Sequence, residues 1–160
     1  MTANSPLVSN NSTTLYRERI WASAWVFVST ALVIPASLLV FLPINLGAGV
    51  IIAIVLYAAI VLILVATSPV ITVTRQRFTA GRASVPIALI GAVTAYSGEE
   101  ATLQRGRLLD ARAWLLIRGW VSPVVTVELT DADDPTPYWI VSTRAPEALV
   151  EAIAAAKNPA

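Results

Sequence analysis

No cysteine and no histidine occur among the 160 residues of this chain. Without thiolates there is no disulfide and no thiol nucleophile, and without imidazoles nearly all zinc, copper and haem ligation is excluded. The commonest general base and the usual switch near neutral pH are excluded with them. Hydroxyls, carboxylates, arginines and a single lysine, Lys157, are what remains for chemistry. No Gly-rich phosphate loop and no Ser-centred elbow is present either. The reading is a non-enzyme with no cofactor and no metal.

Charge is scarce as well. Charged residues make up 13% of the chain, against about 25% in an ordinary soluble domain. The deficit is local: from Ile20 to Thr74 run fifty-five residues without one charged side chain, while hydrophobic residues reach 56% overall. Formal net charge is +1, and residues 75–160 hold nine basic and nine acidic groups. A balanced domain of this kind lacks the basic stripe that neutralises phosphates, so no nucleic-acid partner is expected.

An uncharged apolar run of about eighteen residues or more reads as a membrane-spanning helix. This one holds two, at about 21–42 and 46–65, joined by the uncharged turn Pro43-Ile44-Asn45-Leu46-Gly47. The first contains eleven Leu, Ile, Val or Phe residues, worth roughly −3 to −6 kcal/mol of insertion energy. Trp21 and Trp25 sit one helical turn apart at its start, and Pro35 predicts a kink within it. A cleaved signal peptide fits poorly, since its apolar region is about 7–15 residues long.

Arg17 and Arg19 precede the first span, and Arg75, Arg77 and Arg82 follow the second. The positive-inside rule therefore predicts a plasma-membrane hairpin with both termini cytoplasmic. No ionisable group lies inside the spans, which argues against transport. Small residues (Ala22, Ala24, Ala31 and Ala36 in the first span, Gly47, Ala48, Gly49 and Ala53 in the second) suit close helix packing, in the hairpin or in a homo-oligomer.

The segment 1–19 is rich in Ser, Thr and Asn and is expected to be a disordered cytoplasmic N-terminus. Residues 70–157 read as a small α+β domain. Short strands are predicted at Val70–Thr74, Arg77–Ala80, Ala83–Pro86, Ala92–Tyr96, Trp114–Ile117, Val124–Thr130 and Tyr138–Thr143. Glu99–Arg107 is either a helical turn or a loop, and Pro146–Ala156 is an amphipathic helix with Pro146 in its first turn. Strands followed by one helix suit a curved sheet or open barrel plugged by that helix, the layout of pleckstrin-homology-like domains. A split α+β sandwich is the alternative.

The acidic cluster Asp131, Asp133 and Asp134 lacks the turn glycine and distal glutamate of a calcium loop, and reads as a solvated turn. Glu99, Glu100 and Asp110 read as a solvated face. Arg75, Arg77 and Arg82 are candidate membrane-surface contacts, each worth about 1 kcal/mol near anionic lipid. Arg118, Trp120, Trp139 and Arg144 are the candidate partner surface, because Trp and Arg dominate interface hot spots. The same aromatics fit the core of a small barrel, or a belt resting on the bilayer.

Two segments carry a family resemblance: Tyr16-Arg17-Glu18-Arg19-Ile20-Trp21, and Asp134-Pro135-Thr136-Pro137-Tyr138-Trp139-Ile140-Val141-Ser142-Thr143-Arg144 with Pro146-Glu147. They resemble an actinobacterial membrane family, domain of unknown function 3093, over about residues 15–155. The resemblance implies two membrane spans and a cytoplasmic pleckstrin-homology-like domain, and brings no catalytic residues. The functional expectation is a membrane-anchored interaction or lipid-sensing module whose partners are the bilayer and a protein. The alternative is an accessory subunit of a transporter or envelope-synthesis complex that binds through the hairpin.

Overall fold

The computed structural model describes residues 13–158. Its first element is a strand, β1 (Thr14–Arg19), where disorder was expected over residues 1–19; residues 1–12 lie outside the described residues. β1 pairs antiparallel with β2 (Val70–Thr74), the strand that follows the apolar run, so that Arg19 faces Val70 and Glu18 faces Ile71. The apolar helices are thus an insertion between two neighbouring strands. The domain begins before them, at residue 14, rather than at residue 70.

The first helix is broken into α1 (Ala24–Thr30) and α2 (Val33–Phe41). Pro35 has no N–H to give the Ala31 carbonyl four residues back, and Ile34 N takes that carbonyl instead at 3.0 Å. α3 (Leu46–Ala66) is continuous and begins at Asn45, whose side-chain Oδ1 accepts from Ala48 N at 3.1 Å. α2 and α3 pack closely because Gly49 has no side chain: a Cβ there would lie 2.9 Å from Phe41 Cβ. Ala53, one turn on, is buried in the same seam, as is Ser37, whose hydroxyl returns to Val33 O at 2.7 Å. The other faces stay uncovered. Over the stretches Ala24–Phe41 and Leu46–Ala66, both long and apolar enough to cross a membrane, only 6% and 11% is buried. Neither is a core helix of the domain.

β2, β3 (Arg77–Ala80) and β4 (Ala83–Pro86) form with β1 an antiparallel sheet in the order β1-β2-β3-β4. The β3–β4 turn places Gly81 at φ +63°, a conformation that costs glycine little. A second sheet is built from β5 (Ile90–Tyr96), β6 (Trp114–Leu116), β7 (Val124–Leu129) and β8 (Tyr138–Ser142), in the order β5-β7-β8-β6. α4 (Gly98–Arg105) lies between β5 and β6 in the chain, and β6 lies parallel to β8 because the connection between them runs back through β7, which is antiparallel to β8. Glu99–Arg107, open between helix and loop in the sequence, is largely this helix.

α5 (Pro146–Lys157) lies against β1 and β2 of one sheet and β5 and β7 of the other. Leu149 and Ile153 are fully buried there with Ile20, Ile71, Val73, Phe78, Val125 and Val141. Two sheets sealed by a C-terminal helix match the coarse architecture read from the sequence. A smaller cluster of Ala101, Val124 and Ile140 fills the outer side of the second sheet under α4.

Candidate functional site

The strand ladder between β1 and β2 ends with Ile20 N donating to Pro69 O at 2.9 Å, and both apolar helices depart from this point. The last turn of α3 contains no basic residue of its own, so its electronegative end must be met by other parts of the chain. Arg19 Nη2 donates to Val65 O (2.9 Å), and Arg118 Nη2 donates to Thr67 O (3.3 Å). Thr67 Oγ1 and Ser68 Oγ donate to Ile63 O and Leu64 O, each at 2.8 Å. In the segment that leads into α1, Arg144 Nη2 donates to Trp21 O at 2.6 Å. The Arg19 guanidinium also lies 4.2 Å from the Trp21 ring centroid, within cation–π range.

Glu18 holds this arrangement to the domain. Its carboxylate accepts from Tyr16 OH (2.8 Å), Thr143 Oγ1 and Arg144 N (3.0 Å). Thr143 is fully buried, and its hydroxyl oxygen accepts from Ala145 N at 3.2 Å. The start of the first sheet is thereby tied to the turn between β8 and α5, across 125 residues of chain. Burial pushes the Tyr16 phenol up to about 12; the Thr143 hydrogen bond opposes that shift, and the Glu18 carboxylate adds to it.

The candidate residues are not all gathered here. Arg82, in the β3–β4 turn, lines a cleft beside Thr67–Val70 together with Arg118. Arg75 and Arg77 sit at the opposite end of the sheet, because β2 carries the chain away from the helices by about 16 Å before it turns. Arg77 Nε bonds Ser84 Oγ there at 2.9 Å. Membrane-surface contact was expected of all three, and only Arg82 lies at the helix end of the domain.

Of the candidate partner surface, Arg118 and Arg144 belong to the junction. Trp139 does not: it is buried in the core, with ring centroids 4.6 Å from Trp114 and 5.9 Å from Phe78. Trp120 is half-buried against the same core, with no acceptor for its indole N–H among the described residues.

The residues that sequence reasoning passed over are Tyr16, Glu18 and Thr143 as a linked group, and Arg19 as a helix cap. All four fall within the two segments that carry the family resemblance. The helix end of the domain thus gathers guanidinium groups at Arg19, Arg82, Arg118 and Arg144, and among the described residues none of them is ion-paired to the Glu18 carboxylate. Guanidinium stays charged and donates only, so these arginines can bind anions.

The acidic residues elsewhere serve their own turns. Asp131 Oδ1 accepts from Asp133 N (3.1 Å) and Asp134 Oδ1 from Thr136 N (2.9 Å), which holds the Asp134 carboxyl below its ordinary range. Asp110 pairs with Arg112 at 3.0 Å, and that hydrogen-bonded pairing lowers the Asp110 carboxyl likewise. Among the described residues no three of His, Cys, Asp and Glu gather in a metal-binding group.

A family model described as a protein of unknown function (DUF3093) matches residues 15–153. No curated protein and no solved structure matches the chain. The family match takes in Glu18, Thr143 and every arginine of the junction, running from β1 through both apolar helices into α5; the chain belongs to the DUF3093 family.

Proposed function

We propose that this chain is a membrane-anchored, non-enzymatic interaction or lipid-sensing module. In this reading α1–α2 and α3 cross the cell membrane as an antiparallel hairpin, both chain ends are cytoplasmic, and the two-sheet domain rests against the inner face. The observation that carries it is the group of four arginines placed where two uncharged helices leave the domain.

The 21 residues of α3 extend about 31 Å at 1.5 Å each, close to the roughly 30 Å of a bilayer's hydrocarbon. Val28, Leu39 and Leu62 are each about 70% exposed, as part of an apolar surface far larger than soluble monomers carry. Arginine at one end of the hairpin and an uncharged turn at the other match the cytoplasmic orientation. Four arginines less one carboxylate supply about 3 kcal/mol of attraction to an anionic leaflet.

The C-terminal helix closing two sheets supports a pleckstrin-homology-like domain, to which the parallel β6 strand is an addition. A non-enzymatic role is supported by the chemistry of the junction and by the engagement of Glu18, Asp110, Asp131 and Asp134 in structural hydrogen bonds.

Because the chain contains no cysteine, single-cysteine variants report topology without background. Ile44→Cys should react with an impermeant maleimide added outside the cell, and Asn158→Cys only once the membrane is opened. Reaction of both from one side, or release of the protein by alkaline carbonate, overturns the anchoring. Exchange of the spans for an unrelated hairpin should leave partner capture from membranes intact. Loss of capture would assign the binding surface to the hairpin instead.

A further inference from the structure

The cleft beside the end of α3 has a volume of about 590 Å³ and is bounded by Thr67–Val70, the Gly81-Arg82 turn, Trp114 and Arg118. We propose that it binds the phosphate headgroup of an anionic phospholipid of the cytoplasmic leaflet, seated between Arg82 and Arg118. The inference rests on the membrane-anchored reading above and gives that reading a ligand and an address.

The charge suits the ligand. Arg82 is exposed and has no ion-pair partner among the described residues. Arg118 is half-buried and positioned by its bonds to Thr67 O and Ile117 O, at 3.3 and 3.4 Å. A guanidinium with donors to spare is suited to phosphate oxygens. The C-terminal end of a helix would ordinarily repel an anion. Here the carbonyls of Ile63, Leu64, Val65 and Thr67 already accept from Thr67, Ser68, Arg19 and Arg118, so that repulsion is largely met.

The shape suits it as well. Trp114, half-buried and packed at a tilt against the core residue Trp139 with ring centroids 4.6 Å apart, gives the cleft an aromatic wall of the kind that favours the membrane interface. Ala66 and Thr67 line the cleft, and Leu62 and Ile63, one helical turn before them on α3, are 68% and 60% exposed. An acyl chain can follow this exposed face while the headgroup stays between the arginines. A soluble anion would use the arginines and leave the apolar face uncovered, which favours the lipid.

The test uses the full chain in phosphatidylcholine nanodiscs containing a minor fraction of phosphatidylglycerol, with retained lipids counted by native mass spectrometry. The wild type should retain phosphatidylglycerol over phosphatidylcholine. Arg82→Gln should lower that preference about fivefold and Arg82→Gln with Arg118→Gln about thirtyfold. The pair Arg75→Gln and Arg77→Gln, of equal charge change but at the far end of the sheet, should leave it unchanged.

Arg82 caps no helix, so its variant reads binding without disturbing the fold. An equal loss in the far-end pair, or no preference in the wild type, overturns the site. Displacement of the lipid by millimolar inorganic phosphate overturns the lipid as its ligand. Failure of anchoring gives a different result: the chain would not enter the nanodisc at all.

Discussion

Glu18 accepts three hydrogen bonds, and two of their donors, the Thr143 hydroxyl and the Arg144 amide, belong to the far end of the chain. Glu18→Ala would take from the fully buried Thr143 hydroxyl its carboxylate acceptor, leaving only the Tyr16 phenol oxygen 3.3 Å away, and release β1 from the turn before α5. Hydrogen bonds to a charged group contribute about 1.5–3 kcal/mol each, and an unsatisfied buried donor costs about as much as one of them. The expected loss is about 2–4 kcal/mol, read as a lowered midpoint in thermal unfolding of the detergent-solubilised protein. Thr143→Val in the Glu18→Ala background should then cost less than it does alone, because the bond to Glu18 is already gone and only those to Ala145 N and Tyr16 OH are left to lose. Full additivity of the two substitutions would show that Glu18 acts through other partners.

At the scale of elements, the helix seam depends on Gly49, where a side chain would meet Phe41 Cβ at 2.9 Å. Gly49→Val should destabilise the hairpin by about 1–3 kcal/mol through overpacking. Phe41→Gly, which removes the Cβ that Gly49 approaches, should relieve most of that penalty measured against Phe41→Gly alone, and an unchanged penalty in that background would place the close approach elsewhere. β2, β3 and β4 were legible in the sequence to the residue, because each is a short β-branched or alternating run ending at a turn. β1 was not. Its inward residues Tyr16 and Glu18 are as polar as its outward Arg17 and Arg19, so hydropathy does not alternate although the side chains do. The side that Trp139 takes, core or surface, is not legible for the opposite reason. Trp139, Ile140, Val141 and Ser142 are all buried, one face of β8 toward the main core and the other toward the cluster under α4. A strand covered on both faces has no periodicity to say which side a tryptophan takes. The arginines show the same limit at longer range. Arg75 is near the apolar run in sequence but far from it along an extended strand, whereas Arg118 and Arg144 return to it only through the fold.

For the whole molecule, the chain is a small two-sheet domain with a long apolar hairpin inserted between its first two strands. No residue of the main core lies between Ile20 and Ile71. Ile20 N and Pro69 O are 2.9 Å apart, the spacing of a paired position in a β-hairpin. Replacement of residues 21–68 by Asn-Gly would close β1 and β2 with a two-residue turn of the type that tight hairpins favour. Arg19, Arg118 and Arg144 would lose their carbonyl partners, but those carbonyls leave with the helices and the guanidinium groups pass into water. The excised protein should therefore be soluble without detergent and unfold cooperatively in denaturant, with Trp139 reporting from the core. A chain begun instead at Ile20, which keeps the hairpin and every strand but β1, should fail to unfold cooperatively even in detergent. It would expose the β2 edge beside Ile71 and Val73 and would lose the Glu18 tie to Thr143. Aggregation of the excised protein, or cooperative folding of the chain without β1, would show that the hairpin and not the first strand completes the domain.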